Sequence, residues 1–499
     1  MSIPLTSRAE QFAARAAIIA PEGTFTYRQL LEASARVASF LLDGAQGLEE
    51  QPVTFLVPPG FHYVAVQWGI WRAGGIAVPL SMFHPRPELE YVIDDTTPAV
   101  VIASPELADR VRPSAAERGL RLGLTTEALA FPAGKLPDVA PSHRSMILYT
   151  SGTTGKPKGA VTTHENITAQ IKSLVEAWGW KSDDHILNIL PMHHVHGIVN
   201  ITCCALWVGA VVEILPKFDA QEVLEHFAKG DLTTFMAVPT VYVKLIDAWE
   251  KASPADQRRV SEGCAKMRLM VSGSAALPVP ILEKWQKISG HVLLERYGMT
   301  EIGMGLSNPL IGKRYPGCVG FPLPLVTARL TDEKGRTVAP GTPGEIEIKG
   351  PTVFLEYWRK PEATQKSFRE GWFLTGDVAV QEEGGVYRIL GRSSVDIIKT
   401  GGYKVSALEI EEVLLTHPDI KEVAVVGIPD EVWGERVVAA LVLREGSSLD
   451  TKSLRAWGKD RLATYKVPQE AIILRELPRN AMGKVSKPDL KKIIQGAQG

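Results

Sequence analysis

Two short apolar runs bracket a helical segment near the N-terminus, and that arrangement decides the fold class. Val53-Thr54-Phe55-Leu56-Val57 is a continuous apolar stretch of strand length. Residues 61–73 follow with helical spacing, Gly74-Gly75 ends them, and Ile76-Ala77-Val78-Pro79-Leu80 forms a second run. Parallel strands need a crossover between them, and a helix of this length supplies one. Runs of the same character recur at residues 99–103, 186–190, 211–215, 233–237 and 268–272, each near a helical pattern. The expectation is an α/β fold whose large N-terminal domain, residues 1–393, is built of layered α/β subdomains with mostly parallel sheets.

Glu382-Glu383-Gly384-Gly385 lies between two alternating runs and reads as a hairpin turn. Beyond Gly391 the character changes. Ser406 followed by Glu409 is a capping-box pattern for a helix reaching His417. Strand-like segments at 423–428 and 437–443, a helix from about Thr451, a strand at 471–474 and a final helix make a small α+β domain, residues 394–499.

Composition removes several functions. Lysine and arginine number 55 against 56 aspartates and glutamates, so no basic face for a nucleic-acid partner is expected. The longest apolar stretch, residues 201–215, contains Glu213 and is too short to span a bilayer, so no integral membrane association is expected. No basic segment leads into an apolar one at the N-terminus, the pattern of a secretion signal. Cys203, Cys204, Cys264 and Cys318 have no CxxC spacing, which points to reduced thiols in the cytoplasm.

The chemistry concentrates in a few segments. Residues 150–159 read Thr-Ser-Gly-Thr-Thr-Gly-Lys-Pro-Lys-Gly directly after the apolar run Met146-Ile147-Leu148-Tyr149. Glycines let backbone N–H groups turn into a concavity, hydroxyls add donors and lysines add charge, a composition suited to a polyphosphate. The spacing is not that of the common P-loop, since only Thr153 and Thr154 separate Gly152 from Gly155. A second cluster, Glu295-Arg296-Tyr297-Gly298-Met299-Thr300-Glu301, offers a flat ring for a base, a hydroxyl for a phosphate and a hard oxygen for magnesium. Thr375-Gly376-Asp377 places an aspartate after a tight turn, with Gly391-Arg392 further on. Pro478 to Lys484 puts a lysine on a turn near the C-terminus. Each segment alone has a plain structural explanation; their joint occurrence in this order does not.

With these segments the chain resembles the adenylate-forming superfamily of acyl-CoA synthetases, luciferases and peptide-synthetase adenylation domains, from about Tyr27 to Lys484. The resemblance implies that Thr150, Ser151, Gly152, Thr153, Thr154, Gly155 and Lys158 grip the pyrophosphate end of ATP. Ser272, Gly273, Ser274, Ala275, Tyr297 and Gly298 would flank adenine, and Asp377 with Arg392 would bind the ribose. Thr300 would touch the α-phosphate, Glu301 would hold Mg2+, and Lys484 would bridge the reacting carboxylate and the phosphate. His194 joins this catalytic set as a packing or gating residue. Gly401, Gly402 and Lys404 would lie on the face that admits coenzyme A, once a mobile C-terminal domain rotates between the two half-reactions. Relatives often carry a charged hinge residue before the aspartate after Gly-Arg; here Ser393-Ser394-Val395 precede Asp396 and no charge stands there.

The acyl pocket narrows the acid. Arg296 precedes the adenine tyrosine, and an unpaired guanidinium beside a fatty tunnel is costly, whereas a second substrate carboxylate would satisfy it. Pro191 to Gly197 supplies His196 where many relatives carry an aromatic residue. With Ser274 and Met299 these residues resemble the substrate set of malonyl-CoA synthetases, which implies a short dicarboxylic acid, malonate or methylmalonate. Three alternatives stand beside this reading: Arg296 paired with Glu295 or another carboxylate; another small acid or a medium-chain fatty acid as substrate; and a carrier-protein thiol in place of coenzyme A.

Overall fold

The structure, a computed structural model, describes residues 3–150, 157–400, 403–479 and 485–496, with Lys404 described by its backbone only. The chain forms two compact units, residues 1–328 with 348–373, and residues 329–347 with 374–499.

The first unit holds two sheets. In one, Arg121–Leu124, Val100–Ala103, Pro52–Leu56, Ile76–Pro79 and Arg144–Thr150 lie side by side and parallel, with Lys158–Thr163 and Glu356–Tyr357 antiparallel at the edge. The expected crossover helix is Phe61–Arg72; its buried residues include Val64, Ala65, Val66, Trp68 and Trp71. A helix apolar on every side belongs inside, between layers, and not on a surface. The second sheet runs Leu294–Met299, Leu269–Gly273, Thr234–Ala237, His185–Asn188, Val211–Ile214 and Ala16–Ala20, all parallel, with antiparallel strands added at both ends. The apolar stretch 201–215 does not stay in one element. Helix ends at Val208, Gly209 turns with φ +84°, and Val211–Ile214 enters the sheet. Among the described residues no helix is long and apolar enough to cross a membrane.

In the second unit, Trp372–Gln381 (from Leu374 onward) pairs antiparallel with Tyr387–Arg392 around the expected Glu382–Gly385 turn. The C-terminal part is a sheet of Tyr403–Ser406, Ile397–Thr400, Gly434–Leu443, Ile420–Asp430 and Glu470–Ile473. Its two long strands alternate strictly. Val423, Val425, Val437, Ala439 and Leu441 pack with Ile410, Leu414 and Leu454. Ala424, Val426, Val438, Ala440 and Val442 pack with Leu490 and Ile494. Period-two burial on both faces of one sheet requires helices on both sides. Ser406 accepts the Glu409 N–H at 3.1 Å and opens Ala407–Leu414, a helix shorter than the pattern suggests.

Candidate active site

Most of the expected nucleotide and acyl residues in the first unit sit just beyond the carboxyl ends of the parallel strands, where open α/β sheets bind their ligands. Leu269–Gly273 delivers Ser272 and Gly273, then the exposed turn Ser274-Ala275-Ala276. The neighbouring strand Leu294–Met299 delivers Arg296, Tyr297, Gly298 and Met299, and its turn carries Thr300 and Glu301. His185–Asn188 leads into the segment with His193, His194 and His196.

Strand register brings Arg296 across from Gly273. A Cβ at Gly273 would stand 2.6 Å from Arg296 Nε and 2.7 Å from Cζ, so the guanidinium lies on bare backbone that only glycine leaves open. Arg296 Nη2 donates to Ser274 Oγ at 3.3 Å and to His196 Nδ1 at 2.8 Å. Ser274 adopts φ +68°, a left-handed conformation costly for a non-glycine residue, and the turn holds its hydroxyl at the guanidinium. A guanidinium only donates, so His196 Nδ1 accepts and the ring proton resides on Nε2.

Electrostatics fix these states. Arg296 is 3 % exposed and His196 5 % exposed. Burial pushes the His196 pKa well below its ordinary value, and the charges of Arg296 and His194 push the same way, so the ring is neutral. Burial lowers Arg296 to about 10, which leaves it charged at neutral pH. Arg296 Nε and Nη1 and His196 Nε2 have no hydrogen-bond partner among the described residues. Glu295 does not take the role of partner to Arg296. It points to the other face of the strand, and its carboxylate accepts the Gly317 N–H at 2.8 Å. A buried donor left unmatched costs about 1–3 kcal/mol, more when charged. This corner of the protein holds buried donors, one group of them charged, with no acceptor among the described residues.

The phosphate-loop segment begins and ends in a hairpin. Thr150 pairs with Lys158, and the chain returns as antiparallel strand and not as helix, which separates this design from the P-loop. Ser151, Gly152, Thr153, Thr154 and Gly155 lie outside the described residues. Lys158 connects to the second cluster through Tyr357, a residue that no sequence motif singles out. The Lys158 Nζ sits 4.4 Å from the centre of the Tyr357 ring, and the Tyr357 hydroxyl donates to Glu301 Oε1 at 2.8 Å. One aromatic side chain thus ties the loop's lysine to the buried carboxylate. His194 is half-buried with its ring centre 4.2 Å from that of His193, and the Tyr63 hydroxyl bonds the Met192 carbonyl just before them.

In the second unit Asp377 and Arg392 meet. Arg392 Nε is 3.1 Å from Asp377 Oδ1 and Nη1 donates to the Thr375 carbonyl at 2.9 Å. Behind them is a cluster that sequence reading missed. Lys487 Nζ is 2.6 Å from Asp396 Oδ1 and 2.7 Å from Glu411 Oε1, and Asp396 Oδ2 accepts the Arg392 N–H at 3.0 Å. Burial works to lower the Lys487 pKa, yet Glu411 and Asp396 outweigh it and leave the ammonium raised. Lys484, Gly401 and Gly402 lie outside the described residues; Lys404 is on the strand Tyr403–Ser406.

Residues 5–358 match the family described as AMP-binding enzyme, and residues 409–484 match the AMP-binding enzyme C-terminal domain. Malonate–CoA ligase ACSF3, mitochondrial, of Mus musculus is 48 % identical over 98 % of this chain and 90 % of its own length. Malonate–CoA ligase of Arabidopsis thaliana is 39 % identical over 99 % of this chain and 88 % of its own. Among solved structures, ATP-bound MatB from Rhodopseudomonas palustris superposes with a TM-score of 0.92 at 35 % identity, covering all of both chains. The chain belongs to the AMP-binding enzyme family, the adenylate-forming enzymes that its sequence resembles.

Proposed function

We propose that this protein ligates malonate to coenzyme A at the expense of ATP, through an acyl-adenylate, with release of AMP and pyrophosphate. The observation that carries this reading is Arg296: buried, charged, bonded to a neutral histidine, and with two guanidinium nitrogens unmatched among the described residues. A long fatty chain would leave those donors orphaned, whereas the far carboxylate of a short diacid takes them as a charge-assisted fork. The names of the mouse and Arabidopsis relatives support the same acid.

In the first half-reaction a carboxylate oxygen of the acid attacks the α-phosphorus of ATP, and the bond to pyrophosphate breaks. Lys158 and the hydroxyls of residues 150–154 bind the departing pyrophosphate, Tyr297 and the Ser272–Ala275 turn hold adenine, and Thr300 positions the α-phosphate. Asp377 and Arg392 take the ribose, and Lys484 bridges the two reacting groups. Magnesium, when bound, offsets charge on the triphosphate. Glu301 is the protein oxygen offered to it, and one carboxylate with phosphate oxygens and water is a set this ion favours. In the second half-reaction the thiolate of coenzyme A attacks the acyl carbon and AMP leaves. His194 packs at the acyl entrance, and the face with Gly401, Gly402 and Lys404 on a mobile C-terminal domain, residues 394–499, admits the thiol. The cytoplasm is the proposed compartment, supported by four free cysteines.

Pyrophosphate release across short mono- and dicarboxylic acids, with and without coenzyme A, tests the reading. Malonate should give the fastest release, and coenzyme A should convert it to steady turnover. Equal rates with octanoate would sink the proposal.

A further inference from the structure

His196 opens a helix of unusual form. Residues His196–Cys203 are π-helical and every one is buried; this form is rare and concentrates at functional sites. Asn200 stands four residues on from His196, on the same face whichever helical period applies. Its side chain is 0 % exposed, and neither Oδ1 nor Nδ2 has a hydrogen-bond partner among the described residues. Two neighbouring polar side chains, Thr202 and Asn188, are not left that way. Thr202 Oγ1 donates to the Gly197 carbonyl at 2.8 Å, and Asn188 Nδ2 reaches the same carbonyl and Thr202 Oγ1, each at 3.2 Å. Packing here satisfies the amide that braces the segment and leaves unmatched the amide that shares a face with His196. A fully buried amide with both ends unpaired destabilises a fold and calls for an explanation.

We propose that Asn200 is a specificity-determining residue of the acyl pocket. Its Nδ2–H donates to an oxygen of the carboxylate held by Arg296 and His196, and its Oδ1 faces the carbon between the two carboxyl groups. An acceptor oxygen there tolerates hydrogen and welcomes a hydroxyl, but a methyl group would bury it without a partner. The pocket therefore prefers malonate and hydroxymalonate over methylmalonate, because sites built to hydrogen-bond reject an analogue that leaves their polar groups unmatched. This inference rests on the diacid reading above.

The test uses the full chain carrying Asn200→Leu, with Asn200→Ser as a second variant should the first not fold. Steady-state kinetics with malonate, hydroxymalonate and methylmalonate, at saturating ATP and coenzyme A, are paired with melting of the ligand-free protein. For Asn200→Leu the malonate KM should rise about tenfold or more while the ATP KM stays put. The methylmalonate-to-malonate ratio of kcat/KM should climb by a similar factor, and the ligand-free melting temperature should rise as an orphaned polar group is removed. Asn200→Ser should move the KM and the ratio in the same direction. An unchanged acid ratio in whichever variant folds, or a lower melting temperature with unchanged KM, would overturn the proposal and leave Asn200 structural. Arg296→Ala separates the two layers. Malonate turnover surviving that change sinks the diacid reading itself, whereas collapse there with indifferent Asn200 variants removes only this inference.

Discussion

Arg268, just before the strand Leu269–Gly273, and Arg296, on the neighbouring strand Leu294–Met299, have opposite fates. Arg268 is closed: Nε and Nη2 grip Asp184 at 2.7 and 2.5 Å, and Nη1 donates to the Trp178 carbonyl at 2.8 Å. Asp184 is closed in turn by the Lys181 N–H at 2.7 Å and the Thr233 hydroxyl at 2.8 Å. Arg296 is more deeply buried, yet meets only a histidine nitrogen and a serine hydroxyl, and its Nε and Nη1 find no partner among the described residues. The first arginine is spent on holding strands together. The second keeps two nitrogens unmatched among the described residues, and that difference is what the proposed recognition of a diacid rests on.

Exchanging the two losses is the strongest way to break this comparison. Arg296→Ala should lower malonate kcat/KM by about a thousandfold or more, roughly 4 kcal/mol of lost binding and orientation, with ATP affinity and melting temperature preserved. Arg268→Ala should do the reverse. Removing one partner of a buried pair costs about 3–5 kcal/mol of stability, visible in denaturant unfolding, while the folded fraction keeps its KM for malonate. If both variants lose stability alike, the distinction fails. A smaller effect comes from Gly273→Ala, whose Cβ would press on the Arg296 guanidinium. We expect the acid KM to rise about tenfold to a hundredfold with little change in the ATP KM, from overpacking worth about 1–3 kcal/mol. The smallest is in pH dependence. His196 has a folded pKa below its unfolded one, so the unfolded chain protonates first as pH falls. The associated stability is present above about pH 6.5 and is lost below it, at up to about 1.4 kcal/mol per pH unit. Asp184 is also depressed: burial would raise it, but Arg268, the Lys181 N–H and Thr233 prevail. Its contribution is present above the ordinary carboxylate range and is lost only below about pH 4. His196→Gln should therefore make the slope between pH 6.5 and 5 shallower, the remainder coming from His164, His193 and His291, which burial also depresses, and Asp184→Asn should leave that window unchanged.

Much of the fold was legible because it rests on local pattern. The runs at Val53–Val57 and Ile76–Leu80 became adjacent parallel strands with the helix between them, and the Glu382–Gly385 turn joined a hairpin. The segments read for adenine and phosphate drew notice because small residues and hydroxyls in tight order have few other uses, and their roles belong to the proposal. What escaped depended on long-range register. Gly273 opposite Arg296 is a pairing of neighbours in space, not in sequence, and His196 is 100 residues from the arginine it meets. Tyr357 could not be singled out, since its partners Lys158 and Glu301 come from different sheets. The Lys487–Asp396–Glu411 cluster joins the final helix to a loop 91 residues earlier, and each member alone reads as a solvated surface charge. The π-helix was invisible for another reason: its composition is that of any apolar helix, and only hydrogen-bond period distinguishes it.

That wider winding has an evolutionary consequence. A π segment stores one residue more per turn than an α-helix accommodates. Deleting a single residue between positions 196 and 203 would let the coil relax to the commoner form and turn the helix residues just before the deletion by about 100°. The imidazole would turn away from its guanidinium while every strand of the sheet stayed in register. On the proposed acyl site one codon's loss would redraw which acids fit, and a new preference would arise by shortening a helix instead of by accumulating point changes around a cavity.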